Sequence, residues 1–151
     1  MQTLPVRLLT LVLGGLIALA SCTNAGTACD DVDIEGAWFR VPPAPNGALY
    51  FTATNSGDDP IAITGVSSEV ANMLELHEVL NNDGMMQMQA IEGQRIEIPA
   101  GESVEFRQGG LHVMAMGLAD GLEDGLDAEF VLSTDADCEI TVTAPITVEG
   151  G

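Results

Sequence analysis

Ten short segments, each closed off by turn-forming residues, constrain this chain more than any other feature of its sequence. They cover residues 34–41, 48–55, 61–66, 74–79, 85–91, 95–98, 103–106, 111–116, 128–133 and 139–146. Within them apolar residues alternate with polar ones, or β-branched residues dominate, and no helical period is sustained after Cys29. That pattern reads as strands. The separators include Pro42-Pro43, Asn46-Gly47, the run from Ser56 to Pro60, Asn81-Asn82-Asp83-Gly84, Pro99-Ala100-Gly101 and Gln108-Gly109-Gly110. Such residues favour tight-turn geometry. About eight to ten short strands at this spacing predict one all-β domain, a sandwich or barrel. A single helical turn is expected over 67–71.

Charge narrows the function. The chain carries 23 acidic residues against four arginines and no lysine, a formal charge of −19. A nucleic-acid binder needs a basic patch to neutralise phosphates, so that class is excluded. Docking on anionic lipid through a polybasic patch is disfavoured for the same reason. The chain is nonetheless 46% hydrophobic, enough to fold around a core.

The first residues read as an address. Arg7 precedes thirteen residues, Leu8 to Ala20, in which only Thr10 interrupts the apolar character. This stretch is too short for a mature membrane span and fits a signal peptide. It ends Leu19-Ala20-Ser21-Cys22, which resembles the bacterial lipoprotein cleavage box. The expected organisation is a signal peptide at 1–21, a lipidated Cys22 with a tether at 22–33, and a β domain at 34–149. The alternative is an ordinary signal peptide with Cys22 incidental. An acylated cysteine would anchor the protein outside the cytoplasmic membrane, in the periplasm or at the cell surface. Loss of the leader removes Arg7 and no acid, leaving 3 − 23 = −20.

Three cysteines are an odd number for an exported protein. If Cys22 carries lipid, Cys29 and Cys138 remain as one pair, in a compartment that permits a disulfide. Closing so long a loop would stabilise the fold by roughly 4–5 kcal/mol in the chain-entropy model. Two free thiols, or a cysteine serving as a metal ligand, are the alternatives. The acidic stretch from Asp120 to Glu129 lacks the ligand spacing and flanking helices of a calcium loop and reads as solvated.

Methionine and histidine carry the functional signal. Both histidines, His77 and His112, and the six methionines other than Met1 fall between Met73 and Met116, a span of 44 residues. On strands, His112, Met114 and Met116 share one face, and so do Met86 and Met88. Ten residues separate His77 from Met88 across Asn81-Asn82-Asp83-Gly84, a spacing that suits a hairpin. Two imidazoles with two or more thioethers describe a soft-metal site, because thioethers select Cu(I) over hard cations. The competing reading is core packing, a common use of methionine.

These residues resemble the periplasmic copper chaperone family known as PCuAC. The resemblance rests on His77–x10–Met88 and on His112-Val-Met114-Ala-Met116-Gly-Leu. It extends to Trp38-x-Arg40, Asn46-Gly47-Ala48-Leu49-Tyr50, Asn55-Ser-Gly, Leu76-His77-Glu78, Ile91-Glu92-Gly93, Ile98-Pro99-Ala100-Gly101 and Gly109-Gly110-Leu111, and covers roughly 34–147. It implies a cupredoxin-like Greek-key β-sandwich that binds one Cu(I) through His77, Met88, His112 and Met114, with Met86 and Met116 as additional or alternative thioethers. It also implies delivery of copper to an acceptor, such as subunit II of cytochrome c oxidase or an assembly factor for its copper centre. Carriage rather than catalysis is expected, since no nucleophile–base–orienter set is visible. An electron-transfer cupredoxin would need a cysteine thiolate beside the histidines, and neither Cys29 nor Cys138 lies in those segments. A metal-free interaction module tethered to the envelope is the remaining alternative. Trp38 is expected in the core.

Overall fold

Each of the ten predicted segments is a strand. The computed structural model describes residues 27–148; the leader and Cys22 lie outside the described residues. The strands are β1 (Val32–Val41), β2 (Asn46–Asn55), β3 (Ile61–Ser67), β4 (Ala71–Asn82), β5 (Met85–Ala90), β6 (Ile96–Ile98), β7 (Ser103–Phe106), β8 (His112–Leu118), β9 (Asp127–Thr134) and β10 (Glu139–Val148). The predicted helical turn over 67–71 is absent: a simple turn at Glu69–Val70 separates β3 from β4. Two short 3-10 turns occur elsewhere, at Ala28–Asp31 and Glu92–Gln94.

Pairing runs in the order β5-β4-β8-β2-β1-β10-β9-β3-β6, with β7 added on the second half of β2. Neighbours are antiparallel except β1 and β10, which pair in parallel from Phe39↔Ile146 to Val41↔Val148. That join links the half containing β1, β2, β4, β5, β7 and β8 to the half containing β3, β6, β9 and β10. The architecture is the cupredoxin-like β-sandwich that the sequence suggests.

The core follows from alternation. Leu49, Phe51 and Ala53 of β2, Leu76 of β4 and Val113 and Ala115 of β8 are buried against Phe130 and Leu132 of β9 and Val142, Ala144 and Ile146 of β10. Phe39 meets Phe130 edge-on at 5.1 Å between ring centroids, and Phe51 stacks on Phe106 at 4.2 Å. Full burial of such side chains is worth about 1.5–3 kcal/mol each. Asn55 is the polar exception: its side chain donates to the carbonyls of Asp59 and Ile98 and accepts from the Gly57 N–H, so burial leaves nothing unsatisfied.

Trp38 departs from expectation. A bulge between Glu35 and Trp38, at Gly36 with φ +60°, inserts a residue into β1. One extra residue reverses the facing of everything after it. Val32 and Ile34 therefore face the core before the bulge and Phe39 after it. Trp38 and Arg40 are turned to the opposite surface, where Trp38 lies half-buried against Tyr50 at 4.7 Å.

The expected disulfide joins Cys29 to Cys138 across a sequence separation of 109. It ties the first 3-10 turn to the turn between β9 and β10.

Candidate metal centre

The same alternation that buries Leu74 and Leu76 of β4 against Ala115 and Val113 of β8 sends the residues between them to the other surface. The register there is His77↔His112, Glu75↔Met114 and Met73↔Met116, three successive rungs of one ladder. Opposed residues share a face, so all six side chains line one seam. Strand β2 continues that face with Ala48 opposite Met114 and Asn46 opposite Met116. On the far side, β5 places Ala90 opposite His77, Met88 opposite Val79 and Met86 opposite Asn81. The predicted hairpin between His77 and Met88 exists. It turns through Asp83 and Gly84, both with positive φ, the backbone that a two-residue hairpin requires.

The two imidazole rings lie 5.7 Å apart between centroids. His112 is 3% exposed, although it is on the outer face, because the Gly109-Gly110 turn and Tyr50 cover it. Its Nδ1 lies 3.0 Å from the carbonyl of Gly110. A carbonyl can only accept, so Nδ1 carries the proton and donates. That leaves Nε2 as a bare lone pair, buried and without a partner. His77 is arranged in the converse sense. Its Nε2 lies 3.1 Å from Oε2 of Glu75 and donates to it, leaving Nδ1 buried and unpartnered. Buried imidazole nitrogens without hydrogen bonds are costly. Two of them on adjacent rings fit a pair of metal ligands. The outer hydrogen bonds, one to a carboxylate and one to a backbone carbonyl, are those that hold a ligating imidazole in its tautomer.

Burial holds the His112 imidazole below its ordinary pKa, and the neighbouring His77 adds to that; the Gly110 hydrogen bond opposes them. The ring therefore stays neutral, the form that ligates, to lower pH than a free imidazole.

Thioethers complete the surroundings. Met88 and Met114 line a cavity of about 120 Å³ together with His112, Tyr50, Val79 and Arg40. His77 borders this space through its ring contact with His112 rather than lining it. Met88 is 51% exposed and Met86 61%. Those exposures set aside core packing as the reason for methionine on β5, since a gap-filler is enclosed. Met114 and Met116 are half-buried. Of the two thioethers offered as alternatives, Met86 sits one rung beyond Met88 on β5, and Met116 two rungs from the histidine pair on β8. A roomier groove of about 600 Å³ between Ser67–Val70 and Asp127–Val131 contains neither histidine nor methionine.

Hard-cation and blue-copper chemistries find no support. Among the described residues no three His, Cys, Asp or Glu side chains gather as a metal site. Both described cysteines are spent in the disulfide, so no thiolate is offered.

Two contributors were not anticipated from sequence. Glu75 orients His77; its position two residues before the histidine on a strand was the available signal. Gln94 accepts from the Leu76 N–H at 2.6 Å and donates to the Leu76 carbonyl at 3.1 Å. It thereby prolongs the ladder of β4 where β5 ends, beside His77. Its positive φ of 48° could not be read from the sequence.

Comparison with known proteins identifies the family and the fold. Residues 32–146 match the family described as "Putative lipoprotein LpqE-like". The "Putative lipoprotein Lxx21020" of Leifsonia xyli subsp. xyli is 32% identical over 106 residues, covering 70% of this chain; the chain spans 63% of that relative's length. The Cu(I) form of DR1885 from Deinococcus radiodurans, solved in solution, is 30% identical with a TM-score of 0.61, over 74% of this chain and 75% of that one. The copper-bound PCuAC domain from PmoF2 superposes with a TM-score of 0.63 at 24% identity, over 78% of this chain and 93% of that domain, a likeness of fold. The chain belongs to the LpqE-like lipoprotein family, on the fold shared with the PCuAC domains.

Proposed function

We propose that the protein is an exported, lipid-anchored Cu(I) carrier that holds the ion through His77, His112, Met88 and Met114 and surrenders it to an acceptor protein. The observation that carries this reading is the pair of buried, unpartnered imidazole nitrogens beside exposed thioethers. Neutral nitrogen and sulfur donors suit a monovalent soft ion and offer little to Mg²⁺ or Ca²⁺. The Cu(I) form of DR1885 supports the same cargo. Copper is carried here, not used, and the chain has no role in chemistry on a substrate.

The open side of the site suits transfer. The histidines are enclosed and fixed by outer hydrogen bonds, whereas Met88 stands at the surface on β5. A partner's ligand can replace Met88 first, with the histidines released last. The copper centre of cytochrome c oxidase is the acceptor proposed, and Cys22 the lipidated anchor that keeps the domain, residues 34–149, at the membrane. The strongly acidic surface favours a basic or neutral docking face on that acceptor.

Titration with Cu(I) against a chromophoric chelator tests the site. The wild type should withdraw copper from the chelator, and His77→Ala, Met88→Ala, His112→Ala and Met114→Ala should each withdraw less. Five indistinguishable titrations would refute the assignment. Mass spectrometry of the membrane-extracted protein, with and without Cys22→Ser, tests the anchor.

A further inference from the structure

Two methionines on the histidine seam remain without a role. Met73 and Met116 are directly opposed on β4 and β8, two rungs from the histidines. Directly opposed side chains have Cβ atoms about 4.5–5.5 Å apart, so two flexible thioethers can close on one ion. The rung between them and the histidines carries Met114, opposite Glu75. Each rung advances about 6.6 Å along the strands, so Met73 and Met116 stand roughly 13 Å from the imidazole pair. That is too far to share its ion, and Met114 lies halfway.

The surroundings of the pair are those of an open, firmly built position. Met73 is 51% exposed, so packing does not account for it. Met116 is followed by Gly117 at φ +66°, where an added Cβ would stand 2.7 Å from Nδ2 of Asn72. Glycine leaves that space to the Asn72 side chain, one residue beyond the pair. The neighbouring Glu75 carboxylate places negative charge along the seam and draws a cation towards it.

We propose that Met73 and Met116 form a second, thioether-only Cu(I) position that feeds or drains the histidine site along the β4/β8 seam, with Met114 as the relay between them. Copper moves between the two without changing oxidation state. The thioethers of Met73 and Met116 release the ion as Met114 takes it, and Met114 releases it in turn as the imidazoles attach, with no proton taken up or released by the sulfurs. The proposal rests on the histidine-site reading for its destination, but the occupancy of the Met73/Met116 pair is measurable independently.

The test is a titration of the purified protein, labelled with ¹³C at the methionine methyls, with Ag(I) as a redox-inert stand-in for Cu(I). The first equivalent should shift the Met88 and Met114 methyls, and the second those of Met73 and Met116. In Met73→Leu/Met116→Leu the second step should vanish, with the first unchanged. Leucine keeps the apolar bulk, and a far-ultraviolet dichroism spectrum reports whether the variant is folded. Methyls of Met73 and Met116 that stay in place beyond the second equivalent would overturn the proposal. So would their shifting together with Met88 at the first, or a double variant that still takes up two ions. Failure of the histidine-site reading looks different: Met88 and Met114 unmoved at the first equivalent, whatever Met73 and Met116 do.

Discussion

The two surfaces of one sheet, β4 with β8 and β2, are built from interleaved residues yet obey opposite rules. On the inner surface Leu76, Val113, Leu49 and Phe51 are sealed against Phe130 and Leu132, and every atom there contributes by exclusion of water. On the outer surface His77, His112, Met88 and Met114 leave lone pairs unpaired and sulfur exposed. A single-residue alternation separates stability from ligand chemistry. It follows that damage to one surface should leave the other's property intact, and that can be broken experimentally.

The largest effect belongs to the inner surface. Phe130→Ala should cost about 3–5 kcal/mol of unfolding free energy, measured by urea denaturation, because it empties a fully buried site. Cu(I) affinity of the molecules that remain folded should be unchanged; a matching loss of affinity would show that the two surfaces are coupled. Next comes His112→Ala on the outer surface. Its Cu(I) dissociation constant should rise by more than the roughly 100-fold upper range for losing an outer-shell partner, or about 2.7 kcal/mol. The metal-free melting temperature should fall as well, since the variant empties a buried ring site and loses the hydrogen bond to the Gly110 carbonyl, a cost that removal of the unpartnered Nε2 only partly offsets. Stabilisation by added copper should largely disappear, as mass action requires. Glu75→Gln should weaken copper binding by about tenfold, through the orientation of His77 rather than through a lost ligand.

The smallest effect is a pH dependence. The His112 pKa is lowered in the folded state, chiefly by burial, so the unfolded chain takes up the proton first. Its contribution to stability is complete above the ordinary histidine value of about 6.5 and is lost as pH falls through the lower folded value. Urea midpoints of the metal-free protein should therefore fall as pH drops below about 6.5, and His112→Ala should show a shallower fall. Equal slopes would mean that His112 does not set the acid limit.

Much of this division was legible in the sequence. Alternation gave all ten strands, and the even spacing of His112, Met114 and Met116 places them on one face. The spacing across Asp83-Gly84 gave the β4–β5 hairpin. What escaped was non-local or hidden in backbone geometry. The bulge at Gly36 reverses the facing of Trp38, and a lone glycine in a strand does not announce on which side the next residues emerge. The rungs that pair Glu75 with Met114 and Met73 with Met116 depend on the register of strands some forty residues apart, which no local pattern fixes. The expected turn at 67–71 is too short to offset the cost of helix nucleation, and the Ser68 hydroxyl is engaged with the Glu129 carbonyl across the sheet instead.

The Cys29–Cys138 bond has a mechanical meaning. A pull applied between the two ends of the chain meets Cys29 before any strand. It crosses to Cys138 through the sulfurs and leaves along β10. The segment between them, which holds both histidines and all the seam methionines, lies outside that load path. Drawn taut between its two ends, the domain would strain at its last strand while the register of β4 and β8 stayed slack and unaltered.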